Sequence, residues 1–291
     1  MHRNPQRDEQ PGDAVSRSEL RGSLVARGSR GSTDVIHSHL RARILSGEIP
    51  ADSELSQAGV AKDCGSSRGP VREAFRLLQR EGLIEAVINR RARTTPLSVD
   101  EVEHVYALRV ANEAVALSLS VPRFTTSDLD ELDRLVLAIN EVQGRSFAAW
   151  DEQHQQFHDL LLTYAGERMK GSLALWAEYS ARYRRVYVAD ETGGWTQGAL
   201  EHAQIAQACR VRDEGRAVGL LARHLSRAAL TLIAMMDPTH DPVLLRAALR
   251  QVTTSVTSGH VCADHPAEPA ARGAGTRSGV RPGAAATSRR R

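Results

Sequence analysis

The chain has 291 residues, 41% of them apolar, which is enough material for two modest hydrophobic cores. Its net charge of +3 is unevenly spread: residues 1–30 and 31–97 carry +2 each, 98–265 carry −6 and 266–291 carry +5, so the basic character belongs largely to the C-terminal end. No run approaches the ~20 consecutive apolar residues of a membrane span, charges throughout the first thirty residues argue against a signal peptide, and Cys64, Cys209 and Cys262 lack any C-x-x-C spacing. The expectation is a cytoplasmic protein with reduced thiols and no membrane partner.

Residues 1–30 form an arm expected to be disordered, because they offer too little apolar surface to offset the entropy of ordering. From Val35 to Leu45, apolar residues recur at helical spacing until Gly47 and Pro50 end the run. A short helix is expected from about Leu55 to Cys64, with Gly65 placed for a left-handed C-terminal cap. Ser66-Ser67-Arg68-Gly69-Pro70 then opens a third helix, with a serine N-cap, a first-turn proline and an apolar stripe of Val71, Ala74, Phe75 and Leu78. Arg68, Arg72, Arg76 and Arg80 step by four on another face. Helix, glycine turn and basic helix make a helix-turn-helix pattern at about residues 57–76. In such a unit only the N-terminal pair, Arg68 and Arg72, reaches base edges, while Arg76 and Arg80 are left to solvent or to glutamates such as Glu73. An ordinary amphipathic surface helix would show the same arginine stripe. Leu83 to Ile88 and Ala92 to Thr95 read as two strands joined at Asn89-Arg90, a wing with a basic tip of Arg90, Arg91 and Arg93 suited to the DNA backbone.

The run Ser66-Ser67-Arg68-Gly69-Pro70-Val71-Arg72-Glu73-Ala74-Phe75, followed by Glu81-Gly82-Leu83-Ile84, resembles the signature of the GntR family of bacterial regulators. The resemblance implies a winged helix-turn-helix over residues 31–97, and places Ser67, Arg68, Gly69 and Arg72 at its operator-contacting positions, with Arg90 and Arg91 on the wing. Three departures stand out: Ala51-Asp52 where the family has Pro-Gly, Gly69 where it has threonine, and Arg91 where it has a wing-tip glycine. The lost threonine hydroxyl removes a phosphate contact that Arg91 can replace.

From Ser98 to about Thr257 helix follows helix: Asp100–Ser120, Ser127–Val142 with an N-terminal cap at Ser127, Phe147–Ala165, Lys170–Asp190, Ala199–Glu214, Arg216–Met236, and Pro242 to about Val256. The expected fold is therefore mainly α: a winged helix-turn-helix of three helices and a β-hairpin wing, then an all-α antiparallel bundle of six or seven helices over 98–257. Residues 258–291 form a basic tail, again expected to be disordered.

His154 and His158 lie four apart on one helical face, and His202 and His224 sit on later helices, so a bundle can converge all four imidazoles on a divalent transition metal. Eleven histidines also make chance i, i+4 pairs unsurprising. Phe157-His158-Asp159-Leu160-Leu161, Glu201-His202-Ala203-Gln204-Ile205, His224-Leu225 and the trio Tyr106, Arg109, Glu113 resemble the landmarks of the FCD ligand-binding domain of the FadR subfamily. Members with the metal site use one aspartate and three histidines, and His154 stands where that aspartate belongs. The resemblance implies a metal (zinc, nickel or manganese) on His154, His158, His202 and His224, with Asp151 a substitute ligand. It also implies a small organic acid effector and a homodimer on a palindromic double-stranded DNA operator; Arg109, Arg182 or Arg185 is a candidate second carboxylate contact, with surface ion pairing the more ordinary use of each. The alternative from another class is a metalloenzyme with Glu201 as its acid/base group. The 100° offset of Glu201 from His202 on a helix speaks against that alternative.

Overall fold

The computed structural model describes residues 29–87, 91–189 and 194–262. Helix α1 (Ser29–Leu45) begins before the expected Val35 and buries Ile36, Leu40 and Ile44 against α3. Strand β1 (Glu54–Ser56) leads into α2 (Gln57–Cys64), whose N-cap Ser56 accepts from the Gly59 amide. Gly65 closes α2 at φ 64, the left-handed conformation that glycine adopts without a Cβ clash. Helix α3 (Arg68–Arg80) follows, then β2 (Ile84–Val87) and β3 (Arg91–Thr94). The wing is a three-stranded antiparallel sheet in the order β1-β3-β2, because Glu54, Leu55 and Ser56 pair with Arg93, Ala92 and Arg91.

Seven helices form the second part: α4 (Val99–Ser120), α5 (Thr126–Val142), α6 (Phe147–Leu161), α7 (Glu167–Ala189), α8 (Gly194–Arg210), α9 (Glu214–Met236) and α10 (Val243–Cys262). Helix α4 is central, packing on α7, α9 and α10. Among the described residues α9 alone is long and apolar enough to cross a membrane, and it is a core helix of the bundle. Two separate cores result, one around Ile36, Phe75 and Leu78, the other around Tyr106, Leu117, Phe157 and Leu221.

Several boundaries differ from those expected. The cap of α5 is Thr125, not Ser127: Thr125 Oγ1 accepts from the Asp128 amide at 3.2 Å while the Asp128 carboxylate accepts from the Thr125 amide at 2.7 Å. Helix α6 stops at Leu161, four residues before Ala165, because the amides of Leu162 and Thr163 tighten onto the carbonyls of Asp159 and Leu160 and the chain turns at Gly166, φ 84. Helix α8 ends at Arg210 because Asp213 caps α9 through the Arg216 amide. Helix α10 runs to Cys262, into the expected tail.

Candidate DNA-binding face and histidine centre

Helix α3 buries Val71, Ala74, Phe75 and Leu78 and turns Arg68, Arg72, Arg76 and Arg80 to solvent, the segregation that their spacing predicts. Ser67 holds the N-cap position in extended conformation, but its side chain makes no capping hydrogen bond, so the expected serine cap is one of backbone geometry only. Arg76 Nη1 donates to Glu73 at 3.1 Å, while Arg72 Nε stays 4.0 Å from Glu73, beyond hydrogen-bond distance. At Gly69 an added Cβ would meet only Ser67 Oγ, at 4.0 Å, so nothing in the fold demands glycine there.

On the wing, Arg91 pairs with Glu54 at 3.0 Å and Arg93 with Asp52 at 3.0 Å. Asp52 sits at φ 63, the left-handed conformation that favours glycine. Arg90 lies outside the described residues. Ser67, Arg68, Arg72 and Arg91 are all exposed and Gly69 is half-buried.

Helices α6, α8 and α9 bring His154, His158, His202 and His224 together, with one ligand nitrogen from each lying within 4.8 Å of the others. All four are buried. Trp150, one turn before His154, stacks on its ring at a centroid distance of 4.6 Å and fixes its plane. Both ring nitrogens of His158 and of His202, and Nδ1 of His154, are buried without a hydrogen-bond partner. Orphaned polar atoms are rare in protein interiors, and five in one cluster mark a place built for something that binds nitrogen. Four nitrogens bound to one ion at about 2.1 Å would lie about 3–4 Å apart, so the cluster needs to tighten by about an ångström and the residues fit a divalent metal.

Burial favours the neutral form of three of these imidazoles. Burial, then the neighbouring histidines, holds His154 and His202 well below the ordinary histidine range. Burial lowers His158 to about 4 although the Glu113 carboxylate opposes it. Glu113 lies 3.8 Å from His158 Nδ1, too far for a hydrogen bond, so this is charge attraction only. His224 Nδ1 meets Glu201 Oε2 at 2.7 Å, which leaves Nε2 as its ligand nitrogen. Glu201 is held at about 2: burial raises it, but hydrogen bonds from His224 and Arg227 prevail.

Arg109 lines the cavity beside three of the histidines, and it is spoken for: Nε donates to Glu113 at 2.6 Å and Nη1 to Ser180 Oγ at 2.9 Å. Arg182 and Arg185 are not at the site. Both reach the N-terminal unit, donating to the carbonyls of Thr95 and Ser46, because they lie on the far side of α7. Asp151 is not in the cluster either; it pairs with Arg184 at 2.9 Å. Sequence reasoning missed Arg184 and Arg227, which line the cavity. Their partners, Asp151 and Glu201, sit on other helices, and no spacing rule could have matched them. Glu201 is clamped by Arg227 through both oxygens at 2.6 Å, which removes it as a free acid/base group.

Two family models match this chain, "Bacterial regulatory proteins, gntR family" over residues 32–93 and "FCD domain" over 104–227. The HTH-type transcriptional regulator YdhC of Bacillus subtilis is 27% identical over 137 residues, 45% of this chain and 60% of YdhC, so that match spans less than two thirds of the relative. The HTH-type transcriptional repressor GlaR of Escherichia coli is 26% identical over 200 residues, 64% of this chain and 89% of GlaR. Among solved structures, McbR/YncC of E. coli superposes with a TM-score of 0.61 at 16% identity, covering 70% of this chain and 98% of that one, a likeness of fold. The chain carries the DNA-binding domain of the GntR family over residues 32–93, followed by an FCD domain over 104–227, and its relatives are named as transcriptional regulators.

Proposed function

We propose that the chain is a cytoplasmic, homodimeric repressor that holds a palindromic operator and releases it when a small carboxylate binds at a divalent metal on His154, His158, His202 and His224. The observation that carries this is the buried cluster of four imidazoles with five orphaned ring nitrogens. A bound cation would offer an effector's carboxylate oxygens coordination positions that neutral imidazoles leave open.

Charge balance defines the ligand further. Around the centre, Arg109 pairs with Glu113, Arg184 with Asp151 and Arg227 with Glu201, so the cationic and anionic side chains cancel. An imidazole that ligates a metal is neutral, and a divalent ion therefore adds buried positive charge that no protein carboxylate in the cluster offsets. An anionic effector supplies the compensation. The cavity against the histidines is about 30 Å³, room for little more than an ion and a water, so effector entry must open it. Ser67, Arg68, Gly69 and Arg72 take the operator's major groove, with Arg90 and Arg91 at its backbone. Repression as the sign of regulation is supported by GlaR, named as a repressor.

The test is elemental analysis of the purified protein after dialysis without chelator, beside the variant His158→Ala/His202→Ala. The expected result is about one transition metal per chain, lost in the variant, with DNA binding still measurable in both. Metal held stoichiometrically by the variant would place the site elsewhere.

A further inference from the structure

Helix α7 has two occupied faces. Taking about 100° per residue, Glu178, Tyr179, Arg182 and Arg185 project to one side, and Ser180, Arg184 and Tyr187 to the opposite one. The first group grips the winged domain. Glu178 pairs with Arg41, the Tyr179 hydroxyl donates to the Glu81 carbonyl at 2.7 Å, Arg182 donates to the Thr95 carbonyl, and Arg185 Nη1 donates to the Ser46 carbonyl at 2.7 Å. Tyr179 also packs against the N-terminal core. Glu81 is the C-cap of α3, and its carboxylate is held by Arg41 Nε at 3.0 Å and by His37 Nε2 at 2.7 Å. Helix α7 thus clasps the C-terminal end of the helix that carries Arg68 and Arg72.

The second group ends two polar relays from the histidine centre. One runs from His224 Nδ1 to Glu201, from Glu201 to Arg227 through two 2.6 Å bonds, and from Arg227 Nη1 to the Tyr187 hydroxyl. The other starts at Glu113, 3.8 Å from His158, and passes through Arg109 to Ser180 Oγ. The relays leave from histidines on different helices and arrive two turns apart on the same side of α7.

We propose that α7 is the element through which occupancy of the histidine centre reaches the DNA-binding helix, with Tyr187 and Ser180 as its receiving residues and Tyr179 as its output. This rests on the four-histidine metal site proposed above. Drawing the imidazoles onto an ion shifts His224 and His158; the bidentate Arg227–Glu201 pair and the buried single bond from Arg109 Nε to Glu113 pass such a shift on. Because α7 is pinned on its other side to Glu81, Thr95 and Ser46, its displacement repositions α3, and the zinc-bound and zinc-free states then differ in operator affinity.

The experiment uses the full chain, zinc as the ligand, and a DNA duplex that the protein itself selects from a random pool. Operator affinity is measured by fluorescence anisotropy with and without zinc, and zinc uptake is measured on every protein. The wild type is expected to change operator affinity on binding zinc. Tyr179→Phe, which loses one hydroxyl remote from the histidines, is expected to take up zinc normally and show a zinc effect reduced at least threefold. Ser180→Ala/Tyr187→Phe, which cuts both relays, is expected to reduce the effect per bound zinc likewise. Should the double variant fold poorly, Tyr179→Phe decides the matter alone. A full zinc effect in Tyr179→Phe, or zinc uptake by the wild type with unchanged operator affinity, overturns the coupling and leaves the metal site standing. A wild type that takes up no zinc overturns the metal site, and the coupling with it.

Discussion

Arg72 projects from the first turns of α3 into solvent, with Glu73 no nearer than 4.0 Å to its Nε, so its guanidinium is free to serve a base edge. Its i+4 neighbour Arg76 is tied back to Glu73 at 3.1 Å. Arg72→Ala should therefore weaken operator binding by about 1–3 kcal/mol, the range for a lost base contact, when measured as a dissociation constant at fixed salt. An affinity equal to wild type would remove Arg72 from the interface. The four arginines and the pair His154–His158 were legible from their spacing, because helical periodicity places i, i+4 residues together whatever the tertiary structure does, whereas His202 and His224 were singled out by the family resemblance. The partners that tune the histidines were not. Glu113 and Glu201 reach His158 and His224 from other helices, and only packing brings them there.

At the scale of elements, the turn between α2 and α3 sets how the DNA-binding helix is presented. It depends on Gly65 at φ 64, where its amide and the following one return to the carbonyls of Lys62 and Ala61. Gly65→Ala forces a Cβ into the left-handed region and should cost about 1–2 kcal/mol of stability by chemical denaturation. If the variant unfolds at the wild-type denaturant midpoint, the turn is not strained in this way. This turn was readable because glycine after a short helix has one strong structural meaning. Strand β1 was not readable: three residues are too few to show alternation, and Glu54–Ser56 becomes a strand only by pairing with β3. The cap of α5 was misplaced by two residues because Thr125 and Ser127 are both good caps, and only the reciprocal bond with Asp128 distinguishes them. That Arg182 and Arg185, candidates for either an effector contact or a surface ion pair, instead meet backbone carbonyls of the N-terminal unit was hidden for a similar reason. A helix with charged residues on every side gives no clue to which side meets which domain.

For the whole molecule, the histidine centre makes stability depend on pH in a definite sense. In the metal-free fold, burial holds His154, His158 and His202 below their ordinary value of 6.5, His158 at about 4. The unfolded chain takes up protons on these residues as pH falls through 6.5 while the fold does not, so stability drops below about pH 6.5, and for His158 the loss runs down to about pH 4. Glu113 and Glu201 continue the loss in the next window. Their carboxylates are held at about 2, against 4.5 when free, so the stability they confer is present above 4.5 and disappears as pH falls towards 2. His240 acts in the opposite sense, because its bond to Glu103 raises its pKa, but it is far less buried than the other three. Chelator-treated protein should thus lose thermal stability steadily from pH 6.5 to pH 4, and His158→Gln/His202→Gln should show a shallower slope over the same range, read by circular dichroism at each pH. Parallel slopes for the two proteins would mean that the buried imidazoles protonate within the fold. Saturating zinc binds only the folded state with neutral imidazoles, so it should raise the midpoint most near pH 7 and progressively less as protons compete for the same nitrogens.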